Sequence, residues 1–285
     1  PPDTFYNFTK WMNPGRTRWV DRIHSPYCAV DQRNLEHLNK YHGLRGQGEF
    51  QRIVLRMMPR WSFKTTISLH AAPLWFMTEF PDLRMLMGSQ TEDLSKRNLR
   101  TVKNTIAGNK LFRGRYGDLR PNTKGEDFRL VWNNNGITIK TRQDHQLNEQ
   151  TLEILGLSAL TAGQHYDAIY LDDPHARARA KLIDQTWEAM KDLLFILEPW
   201  GVLSVTMTRW AFWDVAVRMM EEWKYPGELA EPPLIVPVAK SYDAKSDIPE
   251  LFPADQLDRL RRKMSEYEFS CQLLLNPISP SSQRF

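Results

Sequence analysis

Apolar residues along this chain fall into short runs, separated by longer stretches in which they return every three or four positions. "FQRIVLRMM" (50–58), "RMLMGS" (84–89), "YDAIYLDDPH" (166–175), "GVLSVTMTRW" (201–210) and "LIVPVAK" (234–240) are short and bounded by polar or turn residues, so they predict five strands. The third of these reads as buried on both faces. Between the runs the period becomes helical. "KTTISLHAAPLWFM" (64–77) predicts a helix that Pro73 bends or interrupts, and "TEDLSKRNLRTVKNTIAG" (91–108) a polar amphipathic one. "QTWEAMKDLLFIL" (185–197) sets Trp187, Met190, Leu194 and Leu197 on a single face. Strand and helix alternate, which predicts an α/β fold with a mostly parallel central sheet flanked by helices. "FRLVWNNNGITIKT" (128–141) interrupts the alternation. Its two apolar runs around Asn-Asn-Asn-Gly predict a β-hairpin insertion at the sheet edge, because Asn and Gly accept positive φ.

Three regions follow from this pattern. Residues 1–48 mix aromatic and basic positions and read as an N-terminal helical cap, with Val30, Leu35 and Leu38 striping the segment "YCAVDQRNLEHLNKYH". Residues 49–245 hold the alternating core, and 246–285 a helix with Leu257, Leu260 and Met264 in register, then a Pro/Ser tail. With 285 residues, 41% of them hydrophobic, a sizeable core is available. The balance of 38 Lys plus Arg against 34 Asp plus Glu, net +4, leaves a nucleic-acid partner open through local patches such as "HARARAK" (175–181) without requiring one. Cys28 and Cys271 lie far apart, which argues against a zinc ribbon or a disulfide scaffold and fits buried thiols in a reducing compartment. His37 and His42, five apart, do not share a helix face as metal ligands would. Most of the 10 tryptophans sit among apolar neighbours and read as core. No run approaches the ~18 apolar residues of a membrane span and no signal-peptide pattern opens the chain, so a soluble intracellular protein is expected. The limits Pro1 and "SPSSQRF" fit a piece of a longer polypeptide.

The candidate chemistry lies at strand ends, where ligands of open parallel sheets bind. After the first strand, "MPRWSFKTT" places Lys64 and Thr65 at a helix start, as a phosphate-binding loop places its Lys on phosphate oxygens and its hydroxyl on Mg²⁺. Met58 and Phe63 stand where that motif has glycines, so the pattern G-x-x-x-x-G-K-[ST] is not met. A loop with Phe63 there is expected to reach phosphate without positive φ, which strains a non-glycine residue. About a hundred residues on, an apolar strand ends in Asp172-Asp173, a pair suited to holding a metal and orienting a water. The strand at 201–210 ends in Thr206, Met207, Thr208 and Arg209, polar groups where a γ-phosphate sensor would lie.

In their order, "PRWSFKTT", "SQTEDLSKR", "YDAIYLDDPH", a Trp-bearing helix and "VTMTRW" resemble the ATPase motor domain of the large terminase subunit of tailed bacteriophages, over roughly residues 24–277. The resemblance implies a P-loop NTPase fold of the ASCE type, an Mg²⁺-dependent ATPase and ATP contacts from Pro59, Arg60, Trp61, Ser62, Phe63, Lys64, Thr65 and Thr66. It further implies metal binding by Thr65 and Asp172, catalysis by Asp173 with Arg60 and Lys64, and coupling of hydrolysis to movement through Thr208. An upstream nucleotide motif would put Gln32 or Tyr27 near the adenine. Asp173 stands where relatives usually have Glu, one methylene longer. Relatives often carry an arginine finger before the Walker B strand, where this chain has Gly163-Gln164-His165. Arg60 in cis, or Arg142, Arg177 or Arg179 in trans, could replace it. Implied partners are double-stranded DNA, the portal protein, the small terminase subunit and further copies in a ring, with an isolated fragment monomeric. The place of work would be the host cytoplasm, transiently docked on the viral procapsid. The nuclease of such proteins has no counterpart here, since residues 241–285 are too few and their acids lie in loop and helix. Two other readings stay open: a helicase-like P-loop translocase, and a decayed nucleotide-binding assembly module without hydrolysis.

Overall fold

A computed structural model describes residues 3–14, 18–44, 51–122, 130–156, 163–175 and 180–278. One seven-stranded sheet organises them, in the order β3-β4-β2-β5-β6-β1-β7. The strands are β1 (Arg52–Met57), β2 (Met85–Ser89), β3 (Gly136–Ile137), β4 (Leu152–Gly156), β5 (Tyr166–Asp172), β6 (Leu197–Met207) and β7 (Leu234–Ile235). All neighbours are parallel except β3, which pairs antiparallel with β4 at the edge. β6 lies between β1 and β5, so the strands that end in the basic loop and in the acid pair are not direct neighbours.

The period of two along the central strands divides the core into two layers. Ile53, Leu55, Met57, Ile169 and Leu171 pack under α6 (Ala180–Ile196) and α7 (Val215–Glu222), joining Trp187, Met190, Leu193 and Met219. Met85, Met87, Ala168, Tyr170 and Val202 face the opposite layer. That layer is built by α1 (Phe5–Met12), α2 (Asp21–Tyr41), α3 (Ala72–Glu79), α4 (Glu92–Gly108) and α5 (Lys110–Tyr116). A smaller cluster gathers Val20, Val238, Ile248 and Phe252 around α8 (Ala254–Lys263) and α9 (Glu266–Gln272). Cys28 and Cys271 are buried free thiols. Trp75, Trp187, Trp200 and Trp223 are core, whereas Trp61 and Trp213 are exposed. No described helix is long and apolar enough to cross a membrane.

Several elements differ from the sequence reading for identifiable reasons. The apolar face of α6 ends at Leu193 and Ile196, because Leu197 already begins β6. β4 was hidden by Glu153, an acid in mid-strand whose oxygens accept from the Gln150 N–H (2.7 Å) and the Tyr166 hydroxyl (2.8 Å). The expected hairpin is reduced to β3 and a bridge between Trp132 and Ile137, with residues 128–129 outside the described part. Its turn uses no positive φ: Asn133 Oδ1 accepts from the N–H of Asn135 (2.8 Å) and Gly136 (3.0 Å). Space is tight at 136 instead: a Cβ there would displace the end of the Gln150 side chain and sit 3.0 Å from the Leu152 carbonyl oxygen. Ahead of Pro73 the ladder shifts register, with Thr66–Ala71 forming a π-helical turn in which the Ala72 N–H reaches back to the Ile67 carbonyl. The C-terminal helix is two helices, divided by Ser265, whose side chain and that of Glu268 cap each other's backbone N–H.

Beneath the sheet a buried ion pair ties α2 to the strands. Arg56, fully inaccessible, donates to both oxygens of Asp31 (2.5 and 3.1 Å), to the Tyr27 carbonyl (3.1 Å) and to Ser204 Oγ (2.8 Å). Removing one partner of such a pair strands the other charge away from water. Asp31→Ala is therefore expected to cost about 3–5 kcal/mol in urea unfolding. A loss below about 1 kcal/mol would mean that Arg56 finds another counter-charge.

Candidate functional site

Because β1, β2, β5 and β6 run parallel, Met57, Ser89, Asp172 and Met207 reach the same sheet edge together. The loop after Met57 curls over that edge and enters the helix at Lys64. Lys64 is buried, and its Nζ donates to Asp172 Oδ1 at 3.1 Å and to Asp173 Oδ2. The hydroxyl of Thr65 donates to the other oxygen of Asp172 at 2.5 Å. Asp173 Oδ1 accepts from the Thr208 N–H at 2.7 Å, and Thr208 Oγ1 donates to the Met58 carbonyl at 3.1 Å, so the end of β6 bridges acid and loop. The two long-range convergences the sequence could only suggest, loop with acids and acids with Thr208, are present in one cluster.

Charges in this cluster hold one another. Burial works to lower the Lys64 pKa, but the adjacent Asp172 and Asp173 carboxylates outweigh it and raise it, so the ammonium stays charged. Asp173 is pushed upward by burial and by Asp172, against the pull of Lys64 and the Thr208 N–H.

Backbone conformation in the loop is unusual. Trp61 and Phe63 have φ of 65° and 64°, and Asp173 has 44°. Such angles cost a non-glycine residue on the order of 1 kcal/mol or more and collect at functional sites. The expectation of a loop without positive φ at Phe63 is thus overturned: the left-handed turn usually given to glycine is made by phenylalanine. The ring of Phe63 packs 6.2 Å from that of Trp19 and 6.0 Å from His24, which supplies the compensation. Among the described residues, no backbone N–H from Arg60 to Thr66 has a protein acceptor. Unpaired N–H groups at the start of a helix are the kind of donor that suits an anion.

Other predicted residues take varied places. Ser62 is fully buried and its hydroxyl donates to the Pro59 carbonyl (2.6 Å), which braces the loop. Arg60 lies 4.6 Å over the ring of Trp210, beside the loop. Thr66 begins the π-helical turn. Gln32 is kept apart: its amide accepts from the Phe5 N–H (3.0 Å) and donates to Glu36 (3.3 Å), about 12 Å along α2 from His24 at 1.5 Å per residue. Tyr27 is inaccessible and lies under the site, its hydroxyl donating to Thr206 Oγ1 (3.0 Å), so it faces no base. Arg142 is buried and donates to the Glu149 carbonyl at 2.6 Å, which removes it as a trans-acting group. Arg177 and Arg179, with most of "HARARAK", lie outside the described residues. His37 contacts the Trp200 carbonyl and His42 lies 3.5 Å from Asp167, each serving the structure singly.

No protein-family model matches the sequence, and no curated protein does. Among solved structures, the large terminase of bacteriophage HK97 matches 97% of this chain with a TM-score of 0.58 at 13% sequence identity. The chain has the fold of a phage large terminase. It spans 57% of the length of that protein. Two crystal forms of the large terminase from a thermophilic bacteriophage align over 85% of the chain and 52% of their own length at 12% identity, with TM-scores of 0.43 and 0.42.

Within this terminase fold, sequence reasoning named Tyr27 as an adenine contact and overlooked the buried polar support that the N-terminal half of α2 provides. His24, Tyr27, Asp31 and Asn34 recur at helical spacing and are all buried. The available signal was polar residues continuing the apolar stripe of Val30, Leu35 and Leu38 toward the N-terminus, since a buried polar side chain must be paired. The loop itself offers a test. Glycine relieves positive φ and alanine does not, while both lose the Phe63 ring. Phe63→Gly is therefore expected to be more stable than Phe63→Ala by about 1 kcal/mol in thermal unfolding. Equal stabilities would show that the left-handed turn carries no strain.

Proposed function

We propose that this chain is the motor domain of a terminase, which hydrolyses ATP with Mg²⁺ to drive double-stranded DNA into a procapsid. The convergence of Lys64, Thr65, Asp172 and Asp173 beside a loop whose N–H groups lack protein acceptors among the described residues, on a terminase fold, carries the reading. The residues fit the ligands. Thr65 Oγ1 and Asp172 Oδ2 are hard oxygen donors already side by side, as Mg²⁺ prefers when it also takes waters and phosphate oxygens. When bound, the metal would neutralise charge developing on the phosphates.

The chain's own groups have distinct tasks. The Lys64 ammonium exchanges its two carboxylates for phosphate oxygens, which frees Asp172 toward the metal and Asp173 Oδ2 toward water. Asp173 Oδ1 stays fixed by Thr208, so the free oxygen is aimed and can accept the proton of the attacking water. Arg60, in the loop itself and stacked on Trp210, is the cis candidate for stabilising transition-state charge. The expected partners are DNA, the portal protein, the small terminase subunit and further copies in a ring, working in the host cytoplasm on the procapsid. Calorimetric titration of the purified chain with ATP and Mg²⁺ tests the reading. Binding at or below the millimolar range supports it, and no binding in that range overturns it. Slow turnover by a monomer would be consistent, because a group supplied by a neighbouring copy would be missing.

A further inference from the structure

We infer that His24 is a positioning residue for the phosphate loop, holding it in its left-handed conformation; the inference rests on the nucleotide-binding reading of that loop. His24 lies in the first turn of α2 and is inaccessible to solvent. Its two ring nitrogens have opposite duties. Nδ1 accepts from the Val20 N–H at 2.9 Å, and Nε2 lies 3.1 Å from the Ser62 carbonyl, which can only accept. The neutral ring is thereby fixed with its proton on Nε2. Ser62 stands between Trp61 and Phe63, both at positive φ. The bond from His24 thus pins the peptide oxygen between both strained positions, while Trp19 (5.2 Å) and Phe63 (6.0 Å) enclose the ring. A loop held this way keeps its N–H groups without protein acceptors among the described residues, ready for an anion. Should the anchor go, the loop can relax, and ATP affinity falls by the fraction of molecules that remain competent.

Two polar substitutions separate anchoring from mere support of the helix. The amide of His24→Gln can reach the place of Nε2 and still donate to Ser62, whereas His24→Asn keeps an acceptor near Val20 and falls short of the loop. Calorimetric titration of the full chain with ATP and Mg²⁺ is expected to show His24→Asn binding about tenfold more weakly, corresponding to about one competent molecule in ten. His24→Gln is expected within about threefold of wild type. At saturating ATP both variants should retain kcat within about threefold, because Lys64, Thr65, Asp172 and Asp173 are untouched. Equal affinities for His24→Asn and wild type overturn the inference, and so does a Gln variant as weak as the Asn variant with both melting near the wild-type temperature. Wild-type protein that binds no ATP instead removes the proposed function, and this inference with it.

Discussion

Lys64→Ala is expected to lower single-turnover phosphate release by about 10²–10³-fold, the scale of removing a principal electrostatic donor from a preorganised site. The reason lies in what Lys64 touches. Among the described residues, its ammonium is the one group bonded to both Asp172 and Asp173, at the sheet edge where the loop enters the helix. Without it two neighbouring carboxylates face each other with no counter-charge, and one of them takes up a proton. A protonated Asp172 is a poor metal ligand, and a protonated Asp173 cannot accept from water. The substitution therefore removes the phosphate cation and also mis-sets both acids. Lys64→Arg would not restore the site, because a planar guanidinium cannot converge on two carboxylates and then on phosphate as a compact ammonium does. A filter-binding measurement alongside should show ATP affinity reduced by a hundredfold or so, about 2.7 kcal/mol. Release from Lys64→Ala at the wild-type rate, however slow that rate is, would mean that turnover occurs elsewhere or that the fold has lost hydrolysis and serves as an assembly module.

The alternation of runs made the layers of the sheet legible, and the strand-end positions of Lys64 and Asp172 made the site legible, because both depend on local pattern. Strand order was not. That β6 separates β1 from β5 is decided by pairings between residues distant in sequence, Arg56 with Thr206 and Asp172 with Thr206, which no local period encodes. The support under the site was equally hidden. Tyr27 meets Thr206 across 179 positions and Arg56 meets Ser204 across 148, each linking one polar residue on an apolar stripe to another. Phe63 misled for a different reason. Glycine signals positive φ because it alone adopts it freely, so where packing against Trp19 and His24 enforces the same angle on phenylalanine, the usual letter is absent and the geometry remains.

Asp173→Asn is expected to separate binding from chemistry. The asparagine keeps the volume and keeps an oxygen for the Thr208 N–H, but it presents an amide donor where Oδ2 now faces Lys64. Two consequences follow in opposite directions. With no free carboxylate oxygen to accept the proton of water, kcat should fall about 10²–10⁴-fold, the usual worth of a positioned general base. Lys64, relieved of one of its two carboxylates, has less to give up on meeting phosphate, so the affinity for ATP with Mg²⁺ should be equal to wild type or tighter. Asp172→Asn is the contrasting control: it removes the oxygen bonded to Thr65, and should weaken Mg²⁺-dependent binding as well as turnover. A variant at 173 that binds ATP poorly yet turns over what it binds at the wild-type rate would assign that carboxylate to the metal and leave the base to another group. Loss of turnover with binding preserved can come only from a group that acts after the nucleotide is seated, which is the place the Thr208 contact gives to Asp173 Oδ2.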